Sequence, residues 1–574
     1  MKSPYIKFGE PAKLLFLSLL VGLCAGTAAV LLEKVIFFIH HLIRSGHFVF
    51  PALGMLISLL IVRYLVKDNI GHGVTKVLLS VSRNESRIKP HNMWSSLLSS
   101  AVTIGLGGSV GAEAPIVYTG AAFGSNIGRM AKLSYRGITV LLGCGAAGAI
   151  AGIFKAPLAG VLFTLEILLF NISMTSIMPL LISTLTATVV SYVFLGAQSP
   201  FPCTLETFKL GNLPYYLLLG VFCGVVSQYF TRFTLLLEDS VKKRLRSPWL
   251  RWAVCAAGLC LLIFFFPPLF GEGYDSVIQL LNGGELELGS DPNPLLFLLK
   301  SPWGVPVFLI AVLLLKVVSM TLTNSGGGVG GTFGPTLFEG AILGFIVARC
   351  ANLCGATLPE SNFVMVGMAG LMAGVMQAPM TAIFLIAEIT GGYELLLPLI
   401  LCATVSFGVT RTREKYSIYT KRIAQSGDLL THSGDQAVLT LLKTRDLVRD
   451  KYPRLRVDQS LSDVSGIITD STAAVFPVLD KNGHFRGVLE MDDLRKYIFN
   501  PDAMESLTVK DLMHNPVDYV LEDERMDSVM RKFDRTDCWR LPVITKQGIY
   551  LGFISRSRIL AAYRDELKMI TVED

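Results

Sequence analysis

The sequence predicts a polytopic α-helical membrane protein, built as an inverted repeat of broken helices and followed by a cytoplasmic α/β module. Three observations carry this prediction. Of the 95 Asp, Glu, Lys and Arg residues, 51 fall in residues 1–440 and 44 in residues 441–574, so charge makes up 12% of the first part and 33% of the second. An ordinary soluble domain has about 25%. The first part repeats itself at offsets of 220 and 222 residues, and the second at an offset of 65. With 52% AVILMFWYC and a mean hydropathy of +0.54, a purely soluble chain is excluded.

Apolar segments at 14–39, 48–66, 94–125, 137–170, 174–196, 213–237, 249–269, 304–322, 335–350, 363–390 and 394–410 are long enough for membrane helices, and Gly and Pro interrupt several. The first has no A-x-A cleavage site and more spans follow it, so it is a span and not a signal peptide. Lys2, Lys7 and Lys13 precede it, Arg63 and Lys67 follow the second segment, and Arg411, Arg413, Lys421 and Arg422 follow the last. Positive loops face the cytoplasm, so both termini are expected there, in a plasma or inner membrane. The basic excess is +9 in the first part against −2 in the second. It therefore reports orientation, and no nucleic-acid partner is implied. Ten cysteines, scattered singly through apolar runs and without a CxxC pair, read as small buried hydrophobes.

GAIAGIFKAPLAGVLFTLEI (148–167) and GLMAGVMQAPMTAIFLIAEI (370–389) align without gaps, pairing Gly152 with Gly374, Pro157 with Pro379 and Glu166 with Glu388. Upstream, GGSVGAEAP (107–115) aligns with GGVGGTFGP (327–335). If each half crosses the membrane an odd number of times, the second is inverted. That places a pseudo-two-fold axis in the membrane plane and a binding site at the midplane. In the tail, FPVLDKNGHFRGVLEMDDL (476–494) aligns with LPVITKQGIYLGFISRSRI (541–559), each reading as strand, turn, strand, helix.

The Gly-rich turns at 71–75 (GHGVT), 107–115 and 327–335 each lead into an apolar helix. Free N–H groups and the dipole at a helix start make an anion site. Three converging starts would bind a permeant anion without a fixed cation, which suits release. The alternative for each turn is close helix packing through small residues. Glu113 stands in one of these starts. A carboxylate at membrane depth costs at least about 2.5–3.5 kcal/mol, so it is a functional candidate. Ionised, it would occupy the anion's place, and protonated it would leave. Glu166, Glu339 and Glu388 are also embedded, with helix-end hydrogen bonding and proton movement as the two readings. Tyr419 can aim a hydroxyl at an anion or sit in the interfacial belt. GGSVG (107–111) fits a nucleophile elbow, but no strand precedes it, and hydrolase chemistry is excluded. With no metal triad or phosphate loop, the chain is not read as an enzyme.

Together these residues resemble the CLC family of chloride channels and chloride/proton exchangers from about residue 10 to 425, followed by a CBS-domain pair. GAEAP (111–115) looks like the family's GREGP with Glu113 as the gating and proton-bearing glutamate, and GTFGP (331–335) matches GxFxP. GHGVT is similar to GSGIP, and Tyr419 matches the pathway tyrosine. The resemblance implies an anion path lined by Gly71, His72, Gly73, Gly111, Ala112, Gly331, Thr332, Phe333 and Tyr419, in a homodimer with one pore per subunit in a lipid bilayer. It implies transport of chloride, other small anions and protons, as channel or antiporter. His72 replaces the family's serine, Ala112 and Ala114 replace a basic residue and a glycine, and Ile167 stands where exchangers carry an internal proton glutamate. The first change motivates a fluoride-exporting antiporter as alternative, and a CBS-gated cation channel is a further one. CBS modules hold adenosine through a Ser/Thr and an Asp. Here only Asp493 in one repeat and Ser555 in the other match, so an adenine nucleotide and a purely dimerising role remain alternatives. No other cofactor is expected. The domain reading is 1–425 for the membrane part (repeats about 10–205 and 210–425), 426–440 for a linker and 441–574 for the CBS pair (about 441–505 and 506–574).

Overall fold

The computed structural model describes residues 10–43, 48–83, 86–168, 174–202, 206–282, 295, 301–391, 393–425, 442–497 and 500–571. The linker 426–440, Lys2 and Lys7 lie outside them. The chain divides into two compact units, Met1–Leu430 and Thr431–Asp574.

The first unit is helical, and among the described residues eight helices are long and apolar enough to cross a membrane. Three of the expected segments are each two helices. Segment 94–125 divides into Ser95–Gly105 and Glu113–Met130, segment 137–170 into Tyr135–Phe154 and Pro157–Glu166, and segment 363–390 into Glu360–Met376 and Pro379–Thr390. The physical cause is local. Lys155 (φ 55°) and Gln377 (φ 53°) adopt the left-handed conformation that ends a helix. The Ala-Pro that follows each cannot continue it, because proline lacks the N–H and clashes with the preceding turn, but it starts a new one well.

The repeat seen in the sequence recurs in three dimensions. A Cβ on Gly120 would strike the carbonyl of Gly145, and one on Gly340 would strike that of Gly367. Gly124 is pressed on the Leu141 carbonyl as Gly344 is on that of Phe363. These are two copies of one small-residue helix packing. The halves also bind each other reciprocally. Gly111 N–H donates to Gly331 O (3.0 Å) and Gly331 N–H donates to Gly111 O (2.6 Å). Ser109 N–H donates to Thr323 Oγ1 (3.2 Å), and Val329 N–H to Thr103 Oγ1 (3.1 Å). Equivalent residues that each give and receive the same bond lie about a local two-fold axis. The halves are therefore an inverted repeat.

The second unit holds two three-stranded sheets, with strands Leu455–Arg456, Val475–Leu479 and Phe485–Glu490 in one and Val520–Leu521, Arg540–Ile544 and Tyr550–Ser555 in the other. In each, a parallel pair is followed by an antiparallel pair with an irregularity at the same place, Val478/Leu479 and Val543/Ile544. The turn glycines Gly483 (φ 81°) and Gly548 (φ 82°) supply the left-handed residue of the hairpin.

The close packing predicts a graded response to added methyl groups. Gly124→Ala and Gly344→Ala should each lower stability by about 1–3 kcal/mol, read as a lower midpoint of thermal unfolding in detergent. Gly408→Ala, where nothing lies within 4 Å of the new Cβ, should leave the midpoint unchanged or slightly raised.

Candidate anion pathway

Three helix starts meet where the halves join. Glu113–Met130 and Phe333–Leu353 begin directly after the Gly111–Gly331 bridge, and neither has a side-chain N-cap. The third helix, Gly73–Arg83, packs on the first so closely that a Cβ on Gly73 would strike the Ala114 carbonyl. Tyr419 arrives from the helix Ile418–Gln425, and Thr332 Oγ1 donates to its hydroxyl (3.4 Å). Phe333 turns its ring against Phe154 and Phe163, at centroid distances of 5.5 and 6.4 Å. The expected pathway residues of both halves are thus brought together.

Glu113 lies at their centre and is 2% exposed. Its Oε2 accepts from the Gly334 N–H (3.1 Å), and its Oε1 accepts from the Tyr274 hydroxyl (2.6 Å). The carboxylate of one half therefore occupies an amide at the helix start of the other. A free helix-start amide attracts any anion, so this is a place an anion could take once the side chain left.

Not every amide in the expected lining is available. Those of Gly111 and Gly331 are engaged with each other, and Gly71 N–H donates to Asn69 Oδ1 (3.1 Å). These glycines shape the turns. Ala112 N–H donates to Glu272 Oε1 (2.8 Å). His72 has φ 58° and directs Nε2 to within 3.7 Å of Glu238 Oε2, whose other oxygen accepts from Arg422 (2.7 Å).

Sequence reasoning missed Glu272, Tyr274 and Lys316. Lys316 is fully buried and donates to the carbonyls of Gly271 (2.9 Å) and Glu272 (3.3 Å). A lone lysine inside the apolar run 304–322 was the available signal. Glu272 and Tyr274 carried none, because GEGY lies between helices.

Glu166 and Glu388 serve as helix caps. Glu166 accepts from the amides of Met380 (3.2 Å) and Thr381 (2.8 Å), and Glu388 from those of Leu158 (3.0 Å) and Ala159 (2.9 Å). Each half caps the other. Ile167 follows Glu166 and is 4% exposed. Glu339 is fully buried, and among the described residues neither carboxylate oxygen has a hydrogen-bond partner.

In the second unit, Asp493 Oδ2 accepts from Glu490 N–H (3.1 Å) in a capping box and lies 3.3 Å from His514 Nε2. Ser555 Oγ accepts from Arg558 N–H (3.3 Å). Both candidate nucleotide residues thus cap helix starts.

A family described as voltage gated chloride channel matches residues 53–411, and one described as CBS domain matches 445–500 and 509–565. The H(+)/Cl(-) exchange transporter ClcA of Cronobacter sakazakii is 28% identical over 429 residues, covering 68% of this chain and 85% of that protein. Two solved structures share the fold. One, a CLC-type fluoride/proton antiporter, has 23% identity and a TM-score of 0.60 over 73% of this chain and 98% of its own. The other, a eukaryotic CLC transporter, has 17% identity and a TM-score of 0.61 over 95% and 98%.

The reciprocal caps predict matched effects. Glu166→Ala and Glu388→Ala should each destabilise by about 0.5–2 kcal/mol, measured by thermal unfolding in detergent. Glutamine at either position keeps an acceptor and should cost less.

Proposed function

This chain belongs to the voltage gated chloride channel family, and on that footing we propose that it moves chloride across a membrane along the converged helix starts, with Glu113 as the gate. The observation that carries the proposal is the Glu113 carboxylate lying on the Gly334 amide. An ionised side chain there stands in for the transported anion, and protonation releases it. One carboxylate then answers to both ions, which is what exchange of chloride for protons requires. Binding through amide dipoles keeps the site weak enough for turnover.

The same reading places the protein as a multi-pass homodimer in the lipid bilayer with both termini cytoplasmic. Every helix start of the path comes from one chain, so each subunit carries its own pathway. The CBS pair modulates transport, and an adenine nucleotide is its candidate ligand. Asp493 and Ser555 would have to give up their capping bonds to hold it. A second reading, fluoride export, is motivated by His72 at the turn where the family has serine.

In proteoliposomes, Glu113→Gln should retain chloride efflux and lose chloride-driven proton uptake, since glutamine keeps the size and hydrogen bonding of the neutral acid. Proton uptake surviving in that variant would reduce Glu113 to a helix cap. Fluoride efflux exceeding chloride efflux in the wild type would favour the second reading. Truncation after residue 430 should leave chloride flux in place, and its complete loss in a well-folded truncated dimer would refute the modulatory role.

A further inference from the structure

We propose that Glu272 is a second gating carboxylate, so that an anion reaches the converged helix starts only when both Glu113 and Glu272 have withdrawn. The inference deepens the transport reading and rests on it. Glu113 holds the Gly334 amide of one helix, and Glu272 holds the Ala112 amide at the start of the other (2.8 Å). The two amides are not register equivalents, because Gly334 aligns with Ala114 at the 220 offset, but each lies at the start of one of the two facing helices. Each blocks an amide that an anion would otherwise bind.

One short segment controls both. Glu272 lies between Gly271 (φ 58°) and Gly273 (φ 86°), two left-handed residues that turn the chain twice within three positions. Side chains at 272 and 274 are thereby aimed at both helix starts, Glu272 at Ala112 and the Tyr274 hydroxyl at Glu113 Oε1 (2.6 Å). The Lys316 ammonium anchors the segment through the carbonyls of Gly271 and Glu272. It lies by Glu272, whose Oε1 stays on the Ala112 amide.

Among the described residues, titratable and charged groups face the segment of Glu272 from several elements, and Tyr274 of the same segment acts on it as well. Glu113 and Lys316 act on it from their helices, Glu33 from the helix Glu10–Leu42, and His40 of that same helix lies beside Gly271 and Phe270. Glu339 faces Lys316 from the other side. Two carboxylates in one enclosure repel when both are ionised, so the pair takes up its first proton readily and the second only at a lower pH. Opening therefore follows two linked protons, and a helix-capping role alone would give no such linkage.

Chloride efflux from liposomes carrying the full chain, with equal pH on both faces, tests this. Glu113→Gln alone should still gain about tenfold in flux between neutral and acidic pH, and the Glu113→Gln/Glu272→Gln protein less than about twofold. Glu272→Gln alone should raise flux at neutral pH and flatten its pH dependence. A Glu113→Gln protein already indifferent to pH, or a double variant indistinguishable from it, would overturn the proposal. If Glu272→Gln fails to fold, Glu113→Gln/Glu272→Asp keeps a carboxylate with a shorter reach. It should move the midpoint of the remaining pH dependence, and an unmoved midpoint would equally overturn it. Absence of chloride flux in the folded wild type at every pH would instead refute the transport reading itself.

Discussion

A broken helix inside a membrane leaves N–H groups that water cannot reach, and each such start must find an acceptor within the protein. In this chain the acceptors are carboxylates. Glu166 caps the helix Pro379–Thr390, and Glu388 caps Pro157–Glu166. Glu113 takes an amide of Phe333–Leu353, and Glu272 takes the one at Ala112. Four acids inside the apolar unit, each costly alone in an apolar medium, are thereby matched to four helix starts whose amides need acceptors.

The four differ in what else could replace them. Glu166 and Glu388 each receive two successive backbone amides, and Thr381 adds its hydroxyl to the first (2.8 Å). These bonds tie the halves together. Glu113 and Glu272 each hold a single amide at the turns where the halves meet, the places a small anion would use in the proposed path. One physical device thus fastens the halves twice and, in the proposed path, gates it twice.

The two-fold relation explains why the device occurs in pairs. The Gly111–Gly331 bridge and the Thr103 and Thr323 bonds put equivalent turns back to back, so each half's acids face the other half's helix starts. Departures from symmetry carry the specific chemistry. Glu113 aligns with Phe333, whose ring is packed between Phe154 and Phe163. One half therefore supplies the acid at this position and the other an aromatic ring.

Much of this was legible before any coordinates. Charge density separated membrane part from tail, the offsets of 220, 222 and 65 revealed both repeats, and Glu113 was marked by its Gly-rich turn. The helix breaks at Lys155 and Gln377 were less visible, because an unbroken apolar run hides a left-handed residue until the Ala-Pro after it is weighed. The sequence alone determined the fold class, the inverted repeat and the principal acid, since hydropathy, spacing and glycine content are local properties. Only the tertiary structure decided that Glu166 and Glu388 are caps, that the Gly111 and Gly331 amides are spent on each other, and that Glu272 and Tyr274 reach the two helix starts. These depend on which residues 160 to 230 positions apart come within a hydrogen bond, and no local pattern encodes that distance.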